Sequence, residues 1–146
     1  MKLRTHPDPI LRVTCEPADT RLDYSKIAQQ MFEAMKIRGG VGLAAPQVGL
    51  EIRMFVWNPH SNMNPKYNRC IINPELIVSE DLLRREEGCL SLPGTRVVVT
   101  RNASSTMSGF SHNGERVIHH GYSLETRIWQ HELDHLNGIL IIDHKH

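Results

Sequence analysis

The stretch LETRIWQHELDH, residues 124 to 135, restricts the fold more than any other part of the chain. Leu124, Ile128, His131 and His135 are separated by four, three and four residues, the spacing that lines one face of an α-helix. A helix is therefore predicted from about Ser123, a residue suited to the N-cap, to Asn137, with Gly138 ending it. Histidines four apart on a helix lie about 40° from each other around the axis and about 6 Å along it, so both imidazoles can reach one metal ion. Because they continue the apolar stripe, they are expected to point inward. Glu132 follows the first of them and is placed to act as base on a metal-bound water. A hydrolytic site of this kind needs a third protein ligand.

That ligand must lie upstream. In one HExxH pattern a third histidine follows six residues after the second, but here Ile141 takes that position. Another pattern uses a later glutamate, and the eleven residues after His135 contain none. His119 and His120, just before Gly121, read as surface histidines. Cys89 is the stronger candidate, in EEGCLSLPG (86 to 94), where glycine and proline interrupt a strand and let the backbone come close to a ligand. Its alternative reading is a buried free thiol acting as a small hydrophobe. A second small-residue loop, GGVGLAAPQVG (39 to 49), carries a single amide, Gln47. It lacks the Gly-Lys-Ser/Thr ending of a phosphate-binding loop, so no nucleotide site is expected.

Upstream, Ile27, Met31 and Met35 predict a helix from Ser25 to about Arg38, with Gly39-Gly40 as C-cap. IRMFVW (52 to 57), RCII near 70, ELIV near 76 and TRVVVT (95 to 100) read as strands, and Asn113-Gly114 as a tight turn between two more. Strands leading to one late helix describe an α+β domain. With 146 residues, 40% of them hydrophobic, the chain suits one domain with one substantial core. A net charge of +1, from 17 basic and 16 acidic side chains without blocks of one sign, argues against nucleic acid or an anionic membrane as partner. Cys15, Cys70 and Cys89 have unrelated spacings, which fits a reducing compartment rather than a disulfide framework. Pro7 and Pro9 break the apolar core a signal peptide would need, and no run reaches membrane-spanning length. A soluble cytoplasmic chain is expected, or an organellar one if a transit segment has been removed.

Three stretches together resemble one family. GVGLAAPQ (40 to 47), EGCLS (87 to 91) and QHELDH (130 to 135) are similar to the three signature motifs of peptide deformylases, in that family's order, and the likeness runs from HPDPIL near the start to LNGIL near the end. The resemblance implies a single α+β domain over residues 1 to 146, with mostly antiparallel β-sheets packed around a central C-terminal helix carrying HExxH. It implies removal of the formyl group from the initiator methionine of nascent proteins, with release of formate. It assigns Cys89, His131 and His135 as ligands of one divalent metal, Fe(II) in the cell, with zinc, nickel or cobalt possible in purified protein. Glu132 becomes the general base, and the Gln47 side-chain amide and the Leu90 backbone N–H the donors to the oxyanion. Val41, Gly42, Leu124 and Ile128 fall where the family builds its methionine pocket, the Gly42 backbone pairing with an extended substrate. Glu87 and Arg101 correspond to a paired Glu and Arg that would fix the metal-binding loop.

Two departures accompany the likeness. NASSTMSGFSHNGE (102 to 115) is polar where family members have an alternating apolar strand, so a looser, more exposed sheet edge is expected there. The sequence given ends at His146, before the C-terminal helix with which bacterial members dock on the ribosome, which puts that route of association in question; short phage-encoded members share this feature. A monomer acting in the bacterial or phage-infected cytoplasm is expected. The rival readings are a zinc peptidase acting on ordinary peptide bonds, a non-catalytic binding module, and a deformylase for another small formylated molecule. Parallel assays on formylated and unformylated peptides separate the first, and metal content the second.

Overall fold

The computed structural model describes residues 1–60 and 64–144. Helix α1 (Ser25–Ile37) buries Ala28, Met31, Ala34 and Met35 along one face. It ends as its glycine pair requires: Gly39 takes φ +67°, its N–H donates to Lys36 O (3.1 Å), and the Gly40 N–H reaches back to Met35 O (3.0 Å). The predicted loop at 39 to 49 contains a short strand, β1 (Gly42–Ala44), and then a 3-10 turn over Ala45–Val48.

Strand β2 (Met54–Trp57) is buried at every position, which explains its unbroken apolar sequence. Met54 and Val56 pack with α1, while Phe55 and Trp57 pack with the C-terminal helix, so both faces are covered. RCII and ELIV are one strand, β3 (Arg69–Val78), rather than two. Its register shifts between Ile72 and Glu75, where Asn73 adopts φ +52°, and this bulge lets Pro74 sit inside a paired strand. The hairpin of β4 (Leu82–Cys89) and β5 (Leu92–Asn102) forms a sheet of its own. Strands β6 (Ser104–Phe110) and β7 (Arg116–Tyr122) complete an antiparallel five-stranded sheet in the order β1-β2-β3-β6-β7.

That order corrects the expectation of a loose edge at 102 to 115. β6 lies inside the sheet, between β3 and β7, with Ser105 and Met107 buried. Its polar and small residues have local reasons. Ser105 Oγ hydrogen-bonds Thr126 Oγ1 on the C-terminal helix (2.6 Å), and a Cβ at Gly109 would stand 2.7 Å from Ile71. The edge strand on that side of the sheet is β7.

Helix α2 (Leu124–Leu136) packs under this sheet through Ile128, Trp129 and Leu136, as an α+β arrangement with a C-terminal helix requires. Ser123 holds the N-cap position at φ +58°, but its side chain makes no capping bond. Gly138, at φ +71°, donates to His135 O (3.2 Å) and Ile139 to Asp134 O (2.9 Å), closing the helix. A 3-10 turn, Ile141–His144, follows and packs against the β4–β5 hairpin. Arg12 clamps it through both Asp143 oxygens (2.5 and 3.1 Å).

Candidate metal centre

Two elements that pair with nothing in common meet at one point. Cys89 ends β4, where the register with β5 shifts between Gly88 and Cys89, while His131 and His135 lie on α2. One ligand atom from each of the three lies within 4.8 Å of the other two. Cys89 Sγ and His135 Nε2 are 3.4 Å apart, near the roughly 3.6 Å that a tetrahedral ion bonded to thiolate and imidazole would impose. His119 and His120 do not join this group. His119 is not a surface histidine either: half-buried, it packs edge-on to Trp57 at 5.4 Å and beside Trp129.

Around the three lies a buried ionic frame. Glu87, 7% exposed, accepts on Oε1 from His131 Nδ1 (2.9 Å) and Arg101 Nη2 (2.9 Å), and on Oε2 from Arg101 Nε (2.9 Å) and Arg127 Nη1 (2.5 Å). With Nδ1 donating to a carboxylate, His131 turns Nε2 towards Cys89 and His135. Burial would raise the Glu87 carboxyl, but the bonds from Arg101 and His131 outweigh it and hold the group far below the usual carboxylate range. Burial likewise disfavours charge on His131, yet Glu132, Cys89 and Glu87 together lift its pKa to about 10. The pocket between these groups therefore favours a cation. His135 is driven the other way, by burial first and then by His131 and Arg101, which favours its neutral form. Among the described residues its Nδ1 has no partner.

Glu132 is 4% exposed, and its Oε1 also lacks a partner among the described residues. Burial raises its pKa to about 7, against the pull of His131 and Arg101. Gln47, on the 3-10 turn after β1, is fixed by the Ala44 N–H donating to its Oε1 (2.9 Å). Its Nε2 donates to Ser91 Oγ (3.1 Å) and points at Cys89 Sγ (3.7 Å). Gly42 must be glycine here, because a Cβ would stand 2.6 Å from Glu132 Oε2 and 2.9 Å from Ile128.

These groups share an open cavity of about 460 Å³, also lined by Val41, Leu90, Leu124 and Ile128. Leu124 is 52% exposed at its rim, so the stripe drawn from the sequence leaves the core at its first residue. Val41, Gly42, Gln47, Glu87, Cys89, Leu90, Leu124, Ile128, His131 and Glu132 thus line this cavity, while His135 and Arg101 are buried behind its wall. Sequence reasoning missed Arg127, Asp134 and Ser91. Arg127 precedes His131 by one helical turn, a charge beside an apolar stripe that could have betrayed an inward ion pair. Asp134 lies within HELDH itself and accepts from Arg101 Nη1 (2.8 Å). Ser91 carries no sequence signal beyond its place in the Cys89 loop.

The polypeptide deformylase family model matches residues 1–146. A peptide deformylase of Acidothermus cellulolyticus is 39% identical over 142 residues, 97% of this chain and 76% of that protein. Peptide deformylase structures from Plasmodium falciparum and Thermotoga maritima superpose with TM-scores of 0.93 and 0.91 at 37% and 35% identity. Each covers 99% of this chain, matching 86% of the first and 97% of the second.

Proposed function

Because the chain belongs to the polypeptide deformylase family, we propose that it removes the formyl group from the N-terminal formyl-methionine of nascent polypeptides and releases formate. The observation that carries this reading is the convergence of Cys89, His131 and His135 beside a buried carboxylate whose Oε1, that of Glu132, has no partner among the described residues. One divalent ion held by those three ligands would supply Lewis acidity and make water acidic enough to attack at neutral pH. One thiolate and two imidazoles suit iron, zinc, nickel or cobalt, and we assign Fe(II) in the cell from the family resemblance.

Glu132 is the base. With a pKa near neutrality it can take the proton of the attacking water on Oε1 and return it to the departing amine. Gln47 Nε2 and the Leu90 N–H are the donors to the oxyanion, and loss of one such donor costs roughly 3 kcal/mol of transition-state stabilisation. β1 is a sheet edge with Gly42 at the cavity, so an extended substrate can pair with it as an added strand. Val41, Leu124 and Ile128 then form the apolar wall for the methionine side chain. Glu87 and Arg101 keep the ligands in place. The whole chain acts as one catalytic domain, monomeric and cytoplasmic, without nucleic acid or membrane as a partner.

The test is formate release from a formyl-Met peptide by anaerobically prepared protein, with metal analysis and X-ray absorption on the same sample. One bound ion with a single sulfur at about 2.3 Å is expected. Metal-replete protein that releases no formate, or an ion without a sulfur ligand, would overturn the reading.

A further inference from the structure

The ionic frame does not stop at Arg101. Asp134 Oδ2 accepts from Arg101 Nη1 (2.8 Å) and also from His144 Nε2 (2.8 Å), the donor being the imidazole because an ionised carboxylate only accepts. A continuous path therefore runs from His144 through Asp134, Arg101 and Glu87 to His131 Nδ1. Its outer end is the more exposed, at 29% for the His144 side chain and 22% for Asp134, against 4% for Arg101 and 7% for Glu87. The outer end is anchored independently. Arg12 grips Asp143 with two nitrogens and donates to Gly138 O (3.1 Å), and Asp143 Oδ2 also accepts the Leu140 N–H (2.9 Å). The turn is thus held in place without His144, and the imidazole is left to bond Asp134.

We propose that His144 is a positioning residue for the metal ligands: it fixes Asp134, which fixes the Arg101 fork on Glu87 and so the orientation of His131. The inference rests on the metal-dependent reading above. Removing a group that bonds a ligand directly weakens metal affinity roughly 10- to 100-fold, and a group further out should have a smaller effect, about 3- to 10-fold.

Co(II)-loaded protein provides the test, by the rate of Co(II) release to a chelator and by the visible ligand-field bands. His144→Ala, and His144→Phe, which keeps a ring but no donor, should release Co(II) about 3- to 10-fold faster with altered bands. His144→Gln, which restores an N–H at similar reach, should return both to within about twofold of the parent. In an Asp134→Asn background, His144→Ala should add nothing further. Release rates and bands unchanged in both Ala and Phe variants would overturn the proposal, as would a full additional loss in the Asp134→Asn background. Formate release by the parent is measured in parallel. A parent that binds Co(II) without releasing formate sinks the proposed function and leaves the comparison of release rates intact.

Discussion

Arg101→Ala is the perturbation with the most calculable outcome. Arg101 is 5% exposed and donates three charge-assisted bonds, two to Glu87 and one to Asp134. Removing one partner of a buried ion pair costs about 3 to 5 kcal/mol, because the charge left behind is already desolvated. Glu87 would retain Arg127 and His131, and Asp134 would retain His144, so the lower figure applies. For a domain of this size about 3 kcal/mol corresponds to a fall in Tm of roughly 6 to 12 °C. Urea unfolding of metal-free parent and variant measures the loss, and it should depend on pH. The Glu87 pKa is depressed in the folded state, so its stabilisation is complete above the ordinary carboxylate value of 4.5 and is lost as pH falls towards the folded value. The gap between parent and variant should narrow in that acid range. Metal retention should weaken roughly 10- to 100-fold. A destabilisation below about 1 kcal/mol, as for a solvent-exposed pair, with unchanged metal retention, would refute the reasoning.

Glu132→Gln should keep its metal and lose about 100- to 10,000-fold in turnover, since the base is gone and the ligands are not; near-normal turnover of metal-replete protein would show another base. Gly42→Ala places a methyl against Glu132 and Ile128, and kcat/KM should drop on the order of 100-fold with metal content unchanged; wild-type kinetics would mean the carboxylate has room to move. Metal removal should expose a single fast-reacting thiol. Burial pushes the Cys70 thiol up to about 12 and raises that of Cys15, whereas Cys89 opens onto the cavity, so alkylation followed by peptide mapping should find Cys89 alone, and only after chelation. Equal labelling of Cys70 in the native protein would contradict this.

The parts of the site that were legible in the sequence are those governed by short-range periodicity. Four residues at helical spacing predicted α2 and the inward turn of His131 and His135, and Gly138 gave its end. Glycines 39 and 40 marked the end of α1 for the same local reason. What was hidden depends on neighbours distant in sequence. Ser105 reads as an edge residue until Thr126 is placed opposite it, and the close approach of Ile71 to Gly109 exists only once the strands are paired. Pro74 suggested two strands because the sequence does not show that the opposing strand tolerates a bulge. Leu124 obeys the period of the stripe yet lies where the cavity begins. Arg127 and Asp134 look like ordinary helix-surface charges, and only the fold of β4 and β5 brings Glu87 and Arg101 beneath them.

The separate sheet formed by β4 and β5 gives the metal a mechanical meaning. Cys89 and His135 are 46 residues apart in the chain and belong to elements that share no strand pairing. An ion joining them would tie the hairpin to the helix as a removable cross-link and close a loop of that length. By the loop entropy used for disulfides, such a closure is worth about 4 kcal/mol against the unfolded chain. Free metal concentration would then govern how long this enzyme survives heat and proteases as well as how fast it turns over, and chelation would loosen the hairpin before the five-stranded sheet.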